Sequence, residues 1–339
     1  MTKQAILAEK TVQKNRALHW VTSPTSRALG ALLVVFALGL IFNADGAFFK
    51  WGTHRDMMRA VSVYGILACG MTLVIITAGI DLSVGSVLAL VAVLFALTTI
   101  HWQWPFLLAI LFCLLAGTAC GALSGFLIGR FKIQPFIATL AMMVFARGIA
   151  KWVSGGQKIS TAVQQTDGTY KYVEVPKVFT LISTKILGDN LAVVSVILLI
   201  CILISWILLK KLRQGRYMYA IGGNEQAAQL SGVPVNIVKI LAYGVSGLFA
   251  AVAGICQAAQ ELQGDPEAGI SYELTAIAMV VIGGTSLQGG RGSIWLTLIG
   301  ILTIGYLEKI LSINAVGEDK RLMLTGVIIV AAVLLQKNK

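Results

Sequence analysis

One acid, Asp81, interrupts the stretch AGIDLSVGSV (residues 78–87), and long apolar runs lie on both sides of it. A carboxylate in that setting suggests proton or cation chemistry, because a charge at a bilayer centre costs roughly 2.5–3.5 kcal/mol. The competing reading is structural. Asp81 or Ser83 would cap the helix that follows, while Gly79 and Gly85 would allow a tight reversal. A helix N-terminus also favours the negative charge. A second stretch, GTSLQGGRGS (residues 284–293), looks loosely like a phosphate loop. A true one needs GxxxxGK[ST], with the lysine reaching the phosphates. Here Gly290 and Arg291 follow the second glycine, and an apolar run precedes the loop instead of a strand. Nucleotide binding by this chain is therefore not expected.

Catalysis and metal binding find no support either. The three histidines, His19, His54 and His101, fall in the polar tail or at the ends of apolar runs. No HExxH occurs, and no GxSxG stands in a strand-to-helix elbow. Cys69, Cys113, Cys120, Cys201 and Cys256 form no CxxC pair and read as small packing residues. No catalytic, cofactor-binding or metal-ligating residue is expected. Two charged pairs lie inside apolar runs. Arg147 and Lys151, four apart, share one helix face, where they snorkel to the interface or pair structurally, or else line a polar pathway. Glu308 and Lys309 invite the same two readings.

The most informative polar stretch is LRQGRYMYAIGGNEQAAQLSGVPVNIVK (residues 212–239). Within it, NEQAAQLSGVP spells a short helix with its own punctuation. Asn224 is the N-cap, Gly232 the left-handed stop, and Pro234 lies just beyond. Glu225 in the first turn complements the helix dipole. Ala227, Ala228 and Leu230 give a small apolar face suited to close docking or to a membrane surface.

These residues must be positioned by membrane-spanning elements. Of 339 residues, 57% are hydrophobic and only 12% are charged, against roughly 25% charged in soluble domains. Apolar runs near the 20-residue crossing length recur throughout, and they suggest about ten transmembrane helices. The eighth, 272–282, is short and broken by Gly283 and Gly284, so it reads as partly re-entrant. The net charge of +12 falls mainly in short segments between spans. That matches cytoplasmic loops in contact with lipid headgroups, not a nucleic-acid face. The loop charges favour both termini inside. AGIDLSVGS and GGTSLQGGRGS align weakly as a repeat, pairing Gly79 with Gly284 and Gly85 with Gly290.

TLVIITAGIDLSVGSVLAL, YAIGGNEQAAQLSGVPV and YELTAIAMVVIGGTSLQGGRGS, in this order, resemble the permease family of bacterial sugar ABC importers. The resemblance covers about residues 57–335. It implies an all-α integral membrane protein with a type II importer-like fold, multi-pass in the bacterial inner membrane. It also implies partners: ABC ATPase subunits that carry ATP and Mg, a periplasmic substrate-binding protein, and a second permease copy or paralogue. Residues 1–27 would then be a cytoplasmic tail, 28–336 one permease domain, and 337–339 the cytoplasmic C-terminus. Within the domain, about 154–190 would be a periplasmic loop and about 212–236 a cytoplasmic coupling segment. By this likeness Gly222, Gly223, Asn224, Glu225, Ala227, Ala228, Leu230 and Gly232 couple to the ATPase. Gly79, Asp81, Ser83, Gly85, Gly283, Gly284, Gly290 and Arg291 are the signature helix breaks, and Arg147 borders the pathway. The chain departs from the family pattern at Thr275, Met279, Glu308 and Lys309 and in the extended loop TDGTYKYVEVPK (residues 166–177), which bears on cargo. A monosaccharide is the expected solute. A same-family permease for an amino acid, nucleoside or furanone-like signal, and an ion-coupled transporter, stand as alternatives.

Overall fold

The computed structural model describes residues 23–164 and 169–337. Most of the expected N-terminal tail, with His19, lies outside the described residues, as do residues 165–168 of the long polar loop and the last two residues of the chain. Helix α1 is Pro24–Ile41, α2 Trp51–Ile76 and α3 Val84–Ala96, which runs on into a π-helical turn at Leu97–His101. Next come α4 (Phe106–Phe131) and α5 (Pro135–Ser154). In the polar loop that follows, β1 (Ala162–Gln164) pairs antiparallel with β2 (Tyr170–Tyr172). After α6 (Lys177–Ser183), β3 (Lys185–Ile186) pairs with β4 (Leu191–Ala192). The remaining helices are α7 (Val193–Lys210), α8 (Arg213–Gly223), α9 (Glu225–Leu230), α10 (Val235–Glu261), α11 (Tyr272–Ile282), α12 (Ile294–Ile313) and α13 (Glu318–Lys337).

Seven of these helices are long and apolar enough to cross a bilayer: α2, α3 with its π-helical turn, α4, α5, α7, α10 and α12. The expectation of about ten counted three more. Helix α11 has 11 residues, about 16 Å of helix against a hydrocarbon core of about 30 Å. Helix α1 is apolar but falls just under the crossing length over Thr25–Ile41, and α13 opens with Glu318, Asp319, Lys320 and Arg321. The chain is a multi-pass helical membrane protein.

Helices that are apolar all round belong at the centre of such a bundle. Helix α3 and the second half of α2 are buried almost throughout. Helices α4 and α5 instead expose Phe106, Leu107, Leu111, Phe136, Val144 and Phe145, as lipid-facing or partner-facing surfaces do. The tightest pairing is α4 on α10. Gly117, Gly121, Gly125 and Gly129 recur every four residues, and each lies against α10 backbone, at Gly247, Tyr243, Ile240 and Asn236 respectively. This spacing lets helix backbones approach closely where lipid gives little hydrophobic drive. Buried hydroxyl pairs cross-link other spans: Ser62 donates to Ser195 at 3.0 Å, and Thr72 and Thr297 share a hydrogen bond at 2.7 Å.

Candidate functional site

Asp81 lies in the break between α2 and α3 and is only 1% exposed. Its Oδ1 accepts from the Ser83 N–H (3.0 Å) and Oγ (2.6 Å), and its Oδ2 accepts from Ser246 Oγ (2.8 Å). Ser83 occupies the N-cap of α3 but makes no side-chain capping bond. Ser246 lies about 16 Å along α10, a helix about 40 Å long. The break is thus folded back beside the middle of a spanning helix and is not a turn at its end. The expected reversal at Gly79 and Gly85 is also revised. The left-handed residue is Ala78 (φ 61°). Gly79 is small because Tyr243 crowds it, and Gly85 because the Gly269 carbonyl and Glu273 do.

A second break follows α11. Gly283 abuts the backbone of Leu296, and Gly284 is left-handed (φ 101°). The ensuing loop carries left-handed Gly289 and Gly290 and the exposed Arg291. This loop reaches the first break directly. Gly290 N–H donates to the Ile76 carbonyl at 3.0 Å, and Gly289 packs on Ala78. The two signature breaks, separated by some two hundred residues, are therefore in contact.

The third motif joins them. A Cβ on Gly222, near the end of α8, would fall on both the Ile76 carbonyl and the Gly290 nitrogen, the two ends of that hydrogen bond. Only a residue without a side chain allows α8 to approach there. Tyr219 Oη, one turn earlier, donates to the Gly292 carbonyl at 2.9 Å. The end of α2, the loop after α11 and the end of α8 thus form one backbone junction.

Helix α9 hangs from this junction. Asn224 Oδ1 accepts from the Ala227 N–H at 2.9 Å, and Gly232 (φ 82°) ends the segment. Gly223 borders open space. Glu225 is held by two lysines: Lys239 Nζ of α10 at 2.7 Å, and Lys132 Nζ, between α4 and α5, at 3.2 Å. Burial alone would raise the Glu225 pKa. The hydrogen bonds and charges of Lys239 and then Lys132 outweigh it and hold the carboxyl below the usual carboxylate range. The expected shallow apolar face divides. Ala228 packs inward at 5% exposure, whereas Ala227 is exposed and Leu230 is 90% exposed. An apolar side chain presented this fully, on a helix held by two ion pairs, suits docking to another protein or a membrane surface.

Arg147 does not join this group. Its Nη1 donates to the carbonyls of Pro266 and, at 2.8 Å, Ala268, in the link between α10 and α11. Lys151 pairs with Glu267 (2.6 Å) and Lys158 with Asp265 (2.9 Å) on the same link. The structural pairing expected for Lys151 is met by Glu267, whereas nothing in residue type points to the peptide carbonyls that Arg147 holds. Among the described residues, His, Cys, Asp and Glu form no group of three that could hold a metal.

The family model for the permease component of branched-chain amino acid transport systems matches residues 55–333. The chain belongs to this permease family. The ribose import permease of Haemophilus influenzae is 40% identical to this permease over 308 residues, which is 91% of each chain. The ribose import permease of Escherichia coli is 38% identical over 335 residues, covering 98% of this permease and all of that relative. The fructose import permease of Rhizobium meliloti is 34% identical, covering 97% of this chain and 89% of the relative. No solved structure matches.

Proposed function

We propose that this permease is the membrane-spanning subunit of an ATP-driven importer that carries a monosaccharide across the bacterial inner membrane. The observation that carries the reading is the junction of Gly222, Ile76 and Gly290, with α9 and its exposed Leu230 tethered beside it. Two ATPase subunits, which hold ATP and Mg, would seat Leu230 and push on α9 as they close. The Glu225–Lys239 pair passes that displacement to α10, and Gly222 passes it to α2 and the loop after α11. Both routes lead to the helix breaks, where discontinuous spans can rock and change access. The permease itself binds no nucleotide and catalyses nothing. It works as a pair with a second copy or a paralogue, and a periplasmic binding protein delivers the solute.

In this reading α1, α13 and the chain through the short α11 with its flanking segments complete ten crossings with both termini in the cytoplasm, in a type II importer-like arrangement. Arg147 holds the outer link and borders the pathway. The names of the ribose and fructose permeases support a monosaccharide cargo, while the family description supplies the competing one, a branched-chain amino acid. Reconstitution in vesicles with the ATPase and binding protein separates them. The expected result is ATP-dependent uptake of a monosaccharide, ribose first among those tried. Uptake of leucine alone moves the cargo to amino acids, and uptake driven by an ion gradient without ATP overturns the mechanism.

A further inference from the structure

A cavity of about 300 Å³ opens between α2, α11, α12 and the start of α13. Its lining includes Tyr64, at the middle of α2, whose ring lies against that of Tyr272 with centroids 4.3 Å apart. Val61, Met279 and Ile304 make the walls apolar. The mouth is polar, with Thr275, Ser312 and four charged groups. Two of these are carboxylates, Glu308 and Glu318, and two are cations, Lys309 and Arg321. Glu308 Oε2 lies 3.7 Å from Arg321 Nη1. Opposite charges in equal number leave little net field to select an ion. What remains is a set of acceptors and donors sharing one cavity with an aromatic ring. A polyhydroxylated ring fits that chemistry, since each hydroxyl can both donate to a carboxylate and accept from a guanidinium or ammonium. The volume lies at the small end for ligand pockets and suits one small solute.

We infer that this cavity is where the permease itself holds the hydroxyl groups of the solute in transit, and that Thr275 and Glu308 set which solute passes. The inference rests on the monosaccharide reading and adds a selective site within the membrane subunit. Thr275, Met279, Glu308 and Lys309, four of the positions at which the sequence departs from the family pattern, line this one cavity.

The test uses the assembled importer and a panel of aldoses and ketoses. Thr275→Val and Glu308→Gln should each change the relative kcat/KM of the two best-carried sugars about tenfold, the scale of one hydrogen bond to a charged or buried group. A direct binding readout accompanies this, because Ser312 is exposed at the mouth and the natural cysteines are buried or half-buried. Maleimide should label Ser312→Cys above the wild-type background, and millimolar carried sugar should slow that labelling where a sugar that is not carried does not. Unchanged sugar ratios in both variants, or labelling indifferent to the carried sugar, overturns the inference while leaving the transport function standing. A wild-type importer that carries no monosaccharide defeats the cargo reading, and this inference with it.

Discussion

Asp81 illustrates how a buried charge can serve structure. Its three partners all donate: the Ser83 N–H, the Ser83 hydroxyl and the Ser246 hydroxyl. An asparagine can replace it with small loss, because its oxygen still accepts from Ser83 and the Ser246 hydroxyl can turn to accept from the new NH₂. An alanine cannot, and it leaves buried donors unpaired at a cost of about 1–3 kcal/mol. Asp81→Ala should therefore lower the thermal unfolding midpoint in detergent markedly, with Asp81→Asn close to wild type. Equal midpoints for the two variants would contradict this account. The sequence held both readings of Asp81 open because residue type cannot say where a break sits in depth. The partner that decides it, Ser246, is 165 residues away.

At the scale of elements, α9 is too short to be stable alone and depends on its tethers. Those tethers predict a pH dependence with a definite sign. The Glu225 pKa is lowered in the folded protein, so its contribution is complete above the ordinary carboxylate pKa of about 4.3 and is lost as pH falls through the lowered value. The protection of amides 227–231, taken relative to each amide's intrinsic exchange rate at the same pH, should persist in detergent down to that range and fall below it. In Glu225→Gln that protection should be low at every pH. Protection that fades between pH 7 and 5 would count against the tether. The start, cap and stop of α9 were legible locally, from Asn224, Glu225 and Gly232, and so was α11, whose bounds the structure reproduces. The small apolar face was not, because a six-residue helix turns Ala227 and Leu230 away from Ala228. The α4–α10 contact has a plain sequence signal in its four-residue glycine spacing, yet nothing in that spacing names the partner helix.

Across the whole molecule, three motifs spread over the chain converge on a single hydrogen bond between Ile76 and Gly290, with Gly222 against it. Their order and spacing pointed to a family from sequence alone. Their convergence is a property of the fold, since backbone-to-backbone contacts write nothing into residue type except the glycine that permits them. The seven long spans were also readable, while α1, α11 and α13 mark where length and charge stop deciding what crosses a membrane. The central claim is that force from the ATPase enters through this junction. Gly222→Ala places a methyl group on the Ile76–Gly290 hydrogen bond, and such overpacking costs about 1–3 kcal/mol where the backbone must shift. The deciding measurement is solute imported per ATP hydrolysed by the reconstituted complex, with ATPase retention checked by co-purification. The account predicts that Gly222→Ala keeps its ATPase but loses about tenfold or more in this ratio. A wild-type ratio in a fully assembled Gly222→Ala complex would contradict it.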